Sequence, residues 1–131
     1  MLRDLSLAAK AACSKEDQIS LVPLVAQLKQ LAEKSKKSGL LSLETEVYQI
    51  DDPFLKLGLQ LIVDKTDPAN VKDILDSDIY YNESNGRELL KKIIAREGLL
   101  RIQEGDTPRN VLICTKIFLG KVDNKHWKKV T

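Results

Sequence analysis

The sequence predicts an all-α fold, a compact bundle of about five to six short helices. Apolar residues recur at helical spacing along most of the 131 residues. No two segments show the alternation of apolar and polar residues that paired strands have. Three helix starts are marked by a capping residue followed by proline: Asp52-Pro53, Asp67-Pro68 and Thr107-Pro108. The corners of the bundle are therefore expected at glycines and at these proline pairs.

The first half of the chain predicts three helices. A weakly amphipathic helix is expected at about residues 2–12. A second helix is expected to begin near Asp17 or Ser20, to hold Pro23 in its first turn and to end at Gly39. Its apolar stripe is Leu21, Leu24, Val25, Leu28, Leu31 and Ala32. The stripe predicted for the helix that starts at Pro53 is Phe54, Leu57, Leu61 and Ile62.

The second half predicts three more helices and a turn. The helix from Pro68 should bury Val71, Ile74, Leu75 and Ile79, and a turn should follow at Asn82–Gly86. A helix at about residues 87–97 should bury Leu89, Leu90, Ile93 and Ile94. The last helix should carry Val111, Cys114, Ile117 and Phe118 inward, and residues 121–131 should form a loose basic tail.

One short motif occurs twice. "KKSGLLSLETE" spans residues 36–46, and "AREGLLRIQEGDTPR" spans residues 95–109. A basic, helical run precedes Gly-Leu-Leu in both, so we expect Gly39 and Gly98 each to end or bend a helix in the same way. After Gly39, the expected buried residues are Leu40, Leu41, Leu43 and Val47, with Ser42, Glu44 and Glu46 near solvent.

Composition limits the possible functions. The net charge of +2 and the aromatic content of 5% argue against a nucleic-acid-binding surface. No apolar run is long enough to span a membrane, and the charged start of the chain is unlike a signal peptide. Cys13 and Cys114 have no metal-binding spacing, and two free buried thiols are favoured over a disulfide.

No group of residues predicts catalysis. His126 is the only histidine and stands in the tail, where it is expected to be solvated. Asp52 and Asp67 are explained as helix caps, which leaves no pair of carboxylates for acid-base chemistry. The sequence therefore predicts no enzyme, no cofactor and no metal.

Three stretches of the chain resemble one family in the order in which that family carries them. "GLLSLETEVYQIDDPFLKLGLQLIVDKTDPANVKDIL", residues 39–75, resembles the cytoplasmic loop of the flagellar motor stator A subunits, the MotA/PomA family. "REGLLRIQEGDTPRNVL", residues 96–112, is similar to the cytoplasmic C-terminal tail of that family. Residues 2–12 resemble the segment that follows the second transmembrane helix.

The resemblance implies an unusual organisation. The family's third and fourth transmembrane helices should lie between "ILDSDI" and "ELLKKIIAREG", where this chain has only "YYNESNG". Residues 1–81 would derive from the loop, 82–86 would be the junction, and 87–120 would derive from the tail, as in an engineered fusion. The expectation is a single cytoplasmic domain, soluble itself, from a parent at the cytoplasmic face of the bacterial inner membrane.

The resemblance also implies partners and site residues. The family's cytoplasmic part contacts the rotor protein FliG to transmit torque from ion flow, and the intact complex holds a B subunit (MotB/PomB) and other A subunits. The rotor-binding positions carry over to Lys36 and Glu44. Lys36 stands where the family commonly has arginine, and Lys65 stands where glycine often follows the aspartate.

Two alternatives stay open. One is the cytoplasmic domain of an ExbB/TolQ-like ion-driven motor protein, although "DDPFLKLGLQLIVD" favours the flagellar branch. The other is a free-standing helical adaptor that binds proteins. A parent gene that encodes about four membrane spans around these segments would exclude the adaptor.

Overall fold

The structure is a computed structural model that describes residues 4–130. Its helices are α1 (Leu5–Lys10), α2 (Lys15–Ile19), α3 (Val22–Ser38), α4 (Glu44–Val47), α5 (Pro53–Val63), α6 (Pro68–Tyr81), α7 (Gly86–Gln103) and α8 (Pro108–Lys116). Two 3-10 turns span Leu40–Leu43 and Asn124–His126. The described range has no strand, and its five longer helices, α3 and α5 to α8, form a bundle. The predicted all-α bundle is confirmed.

The three proline-marked helix starts are confirmed. The Asp52 carboxylate accepts the backbone N–H of Leu55 at 2.9 Å, and the Asp67 carboxylate accepts that of Ala69 at 3.2 Å. The Thr107 hydroxyl accepts the N–H of Asn110 at 3.1 Å. Each cap satisfies one of the N–H groups that have no partner within a helix's first turn.

The first helices differ from the prediction. The helix expected at residues 2–12 spans only Leu5–Lys10, and Leu2 lies outside the described residues. The helix expected to begin near Asp17 or Ser20 is divided into α2 and α3. The Ser14 hydroxyl caps the start of α2 by accepting the Asp17 N–H at 3.1 Å, and the chain then turns at Ser20 and Leu21 before α3 starts.

Helix α7 is the centre of the bundle and contacts α3, α5, α6 and α8. The prediction that Gly98 ends this helix as Gly39 ends α3 is wrong, because α7 continues to Gln103. Gly98 is buried where α3 crosses α7, and a β-carbon there would lie 2.7 Å from a methyl group of Leu28. The two Gly-Leu-Leu motifs therefore have different roles, since the first is a corner and the second is a site of close helix packing.

The predicted buried faces of α5 and α8 are partly wrong. Leu57 is 39% exposed and Ile117 is 73% exposed. On α5, Gly58 faces Leu75 and Leu99 instead. On α8, Thr115 is buried, and its hydroxyl donates to the Val111 carbonyl at 2.7 Å. Both buried faces are rotated relative to the prediction because a glycine lies in the contact on α5 and a threonine is buried on α8.

The faces of α6 and α7 are close to the prediction. Leu89, Leu90 and Ile94 are buried, and Ile93 is half-buried. Val71, Leu75 and Ile79 of α6 are buried as well, but Ile74 is 39% exposed.

Ion pairs join α7 to its neighbours. The Lys92 ammonium lies 2.6 Å from the Asp78 carboxylate, and Arg96 pairs with Asp76, so α6 and α7 are antiparallel. Residues 82–85 connect these two helices. The geometry allows the expected junction at 82–86, which stays a prediction.

The C-terminal tail is packed, contrary to the loose tail that the sequence predicts. Trp127 is 3% exposed and Val122 is also buried. The Lys15 ammonium pairs with Asp123 at 2.8 Å, and the Lys121 ammonium donates to the Cys13 carbonyl at 2.5 Å. The composition of the tail is basic, but Val122 and Trp127 reach the core and Val130 packs against it. Residue 131 lies outside the described range.

Helices α3 and α7 run in the same direction. The Arg87 side chain at the start of α7 donates to the Ser20 hydroxyl just before α3 at 2.7 Å, and Leu28 meets Gly98 further along. The 17 residues of α3 span about 25 Å at ~1.5 Å per residue. The end of α3 at Gly39 is therefore at the opposite end of the bundle from the connection between α6 and α7.

Candidate functional site

The candidate site is the Gly39 corner, defined as residues 36–48. Gly39 has a φ of 86°, a left-handed value that L-residues with side chains seldom adopt. Its N–H donates to the Ser35 carbonyl at 2.7 Å, and the Ser42 hydroxyl donates to the Gly39 carbonyl at 2.6 Å. These bonds end α3 and start the 3-10 turn, which confirms the prediction that Gly39 stops the helix.

Apolar residues fix the inner side of the corner. Leu43 and Val47 are buried, at 0% and 2% exposure, and Ile50 continues the same side into the core. Leu40 is half-buried against them. The backbone of the corner is therefore attached to the core between Leu40 and Val47.

An ion pair joins the two arms of the corner. The Lys34 ammonium on α3 lies 2.9 Å from the Glu46 carboxylate on α4, and it also donates to the Thr45 hydroxyl at 2.9 Å. About a third of each charged side chain is exposed. The sequence predicts Glu46 near solvent and gives no sign of this pair, because the residues are twelve apart and meet only after the chain turns.

Both predicted site residues lie on the outside of this corner. Lys36 is exposed in the last turn of α3, and Glu44 is exposed as the first residue of α4. Within the part of the chain that the structure describes, neither makes an ion pair or a side-chain hydrogen bond. Lys37, the next residue, is also exposed and without such a pair within the described residues, so the corner offers two lysine cations and the Glu44 carboxylate to a partner.

Two apolar side chains stand beside Glu44. Leu41 is 61% exposed and Tyr48 is 77% exposed. They are three residues before and four residues after Glu44, a spacing that puts all three on one helical face. The expectation that Leu41 is buried is wrong, and the exposed Leu41–Glu44–Tyr48 face was missed. The spacing of three and four was the signal that could have revealed it.

The remaining candidates from the sequence lie elsewhere. His126 is half-buried in the second 3-10 turn. Cys13 and Cys114 are free and partly buried, and burial raises the pKa of the Cys13 thiol. Residues 4–130 hold no group of three or more side chains arranged to bind a metal ion. Nor does any helix in that range have the length and apolar composition that a bilayer crossing requires.

Comparison with known proteins gives partial matches. The chain is 41% identical over 61 residues to motility protein A of Borreliella burgdorferi, a stretch that covers 47% of this chain and 24% of that protein. It is 40% identical over 62 residues to motility protein A of Helicobacter pylori, which covers 47% of this chain and 24% of the relative. The chain is related to the motility protein A family.

The relationship covers part of each molecule. The matched stretch spans about a quarter of the length of these curated motility A proteins. The uncharacterized protein YtxD of Bacillus subtilis is 35% identical over 83 residues, which cover 63% of this chain and 30% of YtxD. No family model and no solved structure matches the chain.

Proposed function

We propose that this chain is the cytoplasmic part of a flagellar stator A subunit and that its Gly39 corner contacts the rotor protein FliG. Lys36 and Glu44 are the contact residues, and the contact transmits torque that ion flow generates in the parent complex. The B subunit and other A subunits would be further partners there, and the inner membrane the location. The observation that carries the proposal is a pair of unpaired, exposed, opposite charges on a fixed corner of a chain related to motility protein A.

The residue types suit a contact that forms and breaks repeatedly. An exposed ion pair contributes about 0.2–1 kcal/mol and requires little buried surface. Complementary charges also speed encounter and select orientation more than they raise affinity. A rotating partner has to be released as often as it is bound, so weak charge pairs serve better than a large apolar interface.

The attachment of the corner to the core supports the proposal. Torque passes through a contact only if the contact residues cannot swing freely. Leu43 and Val47 hold the corner from inside, and the Lys34–Glu46 pair joins its arms. Leu41 and Tyr48 can add a small apolar contribution beside Glu44.

The position of the corner is also consistent with a membrane-attached parent. The connection at residues 82–85 stands where the resemblance places the missing transmembrane pair. The Gly39 corner lies at the other end of α3, about 25 Å away. In a parent protein with a membrane hairpin at that connection, the corner would face away from the bilayer.

The test is a binding measurement between this chain and the C-terminal domain of FliG at low and high salt. We expect weak binding that high salt suppresses, since exposed charges are screened. Lys36→Glu and Glu44→Lys should each weaken binding by about 3–10-fold. Chemical-shift changes should be concentrated in residues 36–48.

Two matched controls lie on α6. Lys72 and Asp73 are adjacent, exposed and opposite in charge, so Lys72→Glu and Asp73→Lys make the same charge changes on a different helix, outside residues 36–48. They should leave the affinity unchanged. Binding that is insensitive to both corner variants, or equally sensitive to the α6 variants, would contradict the proposal.

A further inference from the structure

A second surface lies on the outer side of α8 and shares no residue with the Gly39 corner. Ile113 and Ile117 are 52% and 73% exposed and stand one helical turn apart. Single exposed apolar residues are ordinary, but Ile113 borders a groove of about 390 Å³. Its other lining residues are Lys29, Arg109, Leu112 and Lys116, and we call it the α8 groove.

The charged residues that line the α8 groove are all cations. Lys29 comes from α3, and Arg109 and Lys116 come from α8. No carboxylate lines the groove within residues 4–130. Positive charges that are gathered around apolar side chains repel one another unless an anionic partner neutralises them.

The C-terminal tail adds further positive charge to the rim. The Lys29 ammonium donates to the Val130 carbonyl at 2.9 Å, and the Lys116 ammonium lies 5.1 Å from the centre of the Trp127 ring. Trp127 and Val130 are therefore both attached to the rim. Lys128 and Lys129, the two exposed residues between them, are held close to it.

We propose that the α8 groove binds an acidic amphipathic helix of a partner protein. The apolar stripe of that helix packs on Leu112, Ile113 and Ile117, and its carboxylates face Arg109, Lys116 and the tail lysines. Helices commonly bind in this way, by laying residues spaced three and four apart along an apolar groove. Opposite charges at the rim set the orientation and accelerate association.

The shape and chemistry of the groove favour a helix over other anionic partners. Nucleic acid would satisfy the cations through its phosphates but would leave both isoleucines without an apolar partner. A bilayer surface is broad and cannot enter a groove between α3 and α8. A helix ridge supplies apolar side chains and carboxylates together.

The test uses a synthetic, fluorescently labelled peptide of about 18 residues, with leucines at helical i, i+3, i+4 spacing and glutamates elsewhere. Two matched peptides serve as controls. One has lysine at every glutamate position, and the other has the acidic composition in a scrambled order without a stripe. Vesicles with and without anionic lipid test the bilayer alternative, and a single-stranded oligonucleotide tests nucleic acid.

Variants of the chain locate the binding site. Ile113→Ser with Ile117→Ser should weaken binding of the acidic peptide by about 10-fold or more, because two apolar contacts are lost. Arg109→Glu with Lys116→Glu should weaken it by a similar factor and reduce its salt dependence. Ile74→Ser on α6, which also replaces an exposed isoleucine, should have no effect. Thermal unfolding of each variant verifies that the fold is retained.

The expected result is that the acidic peptide binds more tightly than either control peptide and that only the α8 variants reduce this binding. The proposal is overturned if the lysine or scrambled peptide binds equally well, or if the α8 variants bind as the unmodified chain does. It is also overturned if vesicles or the oligonucleotide bind in preference to the acidic peptide.

Discussion

Leu28 of α3 packs directly on the backbone of α7 at Gly98. A β-carbon on Gly98 would lie 2.7 Å and 2.9 Å from the two terminal methyl groups of Leu28, which is 0% exposed. We expect Gly98→Ala to lower the free energy of unfolding by about 1–2 kcal/mol. Overpacking costs about 1–3 kcal/mol, and the better helix propensity of alanine recovers up to ~1 kcal/mol. Urea unfolding followed by circular dichroism measures the difference.

The Leu28→Ala background tests whether Leu28 causes this loss. Leu28→Ala removes the methyl groups and should itself cost about 2–5 kcal/mol. In that background Gly98→Ala should be neutral or stabilising, because only the helix-propensity term remains. An equal loss in both backgrounds would show that Leu28 is not the cause.

The roles of Gly39 and Gly98 differ in whether they could be predicted from the sequence. Local chemistry determines a cap or a corner, so the proline-marked starts and the turn at Gly39 could be predicted from adjacent residues. The role of Gly98 depends on Leu28, which is seventy residues away and approaches only when α3 packs on α7. A glycine's function in close packing has no local signal.

The same limit applies to the candidate site. The exposure of Lys36 and Glu44 follows from their places at a helix end and on a polar face. The Lys34–Glu46 pair and the exposed Leu41 depend on how the chain turns through the 3-10 segment. The helical spacing of apolar residues predicts which segments are amphipathic. It does not predict how far the buried face of a helix is rotated about the helix axis when small residues make the contact.

Asp52 should make stability dependent on pH. Burial alone would raise the pKa of its carboxyl, but the ion pair with Lys91 and the Leu55 N–H outweigh this and lower the pKa. Because the pKa of Asp52 is lower in the folded state, its carboxylate stabilises the fold at pH values above the ordinary pKa near 3.8. This contribution is lost as the pH falls through the folded-state pKa. Asp52→Asn retains an oxygen for the cap, so it should cost about 0.5–1.5 kcal/mol near neutral pH.

The check is urea unfolding across a pH series. The difference in the free energy of unfolding between the unmodified chain and Asp52→Asn should become smaller as the pH is lowered below the ordinary pKa of aspartate. Asp51→Asn is the matched control, since Asp51 is adjacent and exposed, and this substitution should stay within about 0.5 kcal/mol. A stability difference for Asp52→Asn that does not change with pH would contradict the lowered pKa of Asp52.

The buried tail tryptophan gives a direct optical test. Trp127 is 3% exposed and is the only tryptophan in the chain. Its fluorescence should be blue-shifted and weakly quenched by acrylamide in the folded protein. Trp127→Ala should cost about 3–5 kcal/mol, as removal of a large core side chain does. The exposed tail substitution Lys128→Ala should leave stability within about 0.5 kcal/mol, and solvent-like emission in the native state would argue for a loose tail.

The connection between α6 and α7 should tolerate insertion. Asn82 and Glu83 are both exposed, so four Gly/Ser residues placed between them should keep the helix caps and ion pairs intact. Doubling a short loop costs about 0.6 kcal/mol in closure entropy. The same insertion between Leu99 and Leu100, inside α7, should abolish cooperative unfolding. Loss of cooperativity from the first insertion would count against the proposed junction.

Charge reversal at the Gly39 corner should separate function from stability. If the proposed rotor contact is correct, Lys36→Glu and Glu44→Lys, placed in an intact stator, should reduce swimming under load, since each would replace an attractive charge pair with a repulsive one. In the isolated chain both side chains are exposed, and such changes usually stay within about 0.5 kcal/mol. Lys36→Glu can cost up to ~1 kcal/mol more because Lys36 stands at the C-terminal end of α3.

A charge reversal on the facing rotor surface should restore part of the motility. Lys72→Glu controls for net charge, and motility assays are paired with measurement of folded protein in the cell. The mechanism is rejected if load-bearing speed is unchanged, or if it falls only in proportion to the loss of folded protein.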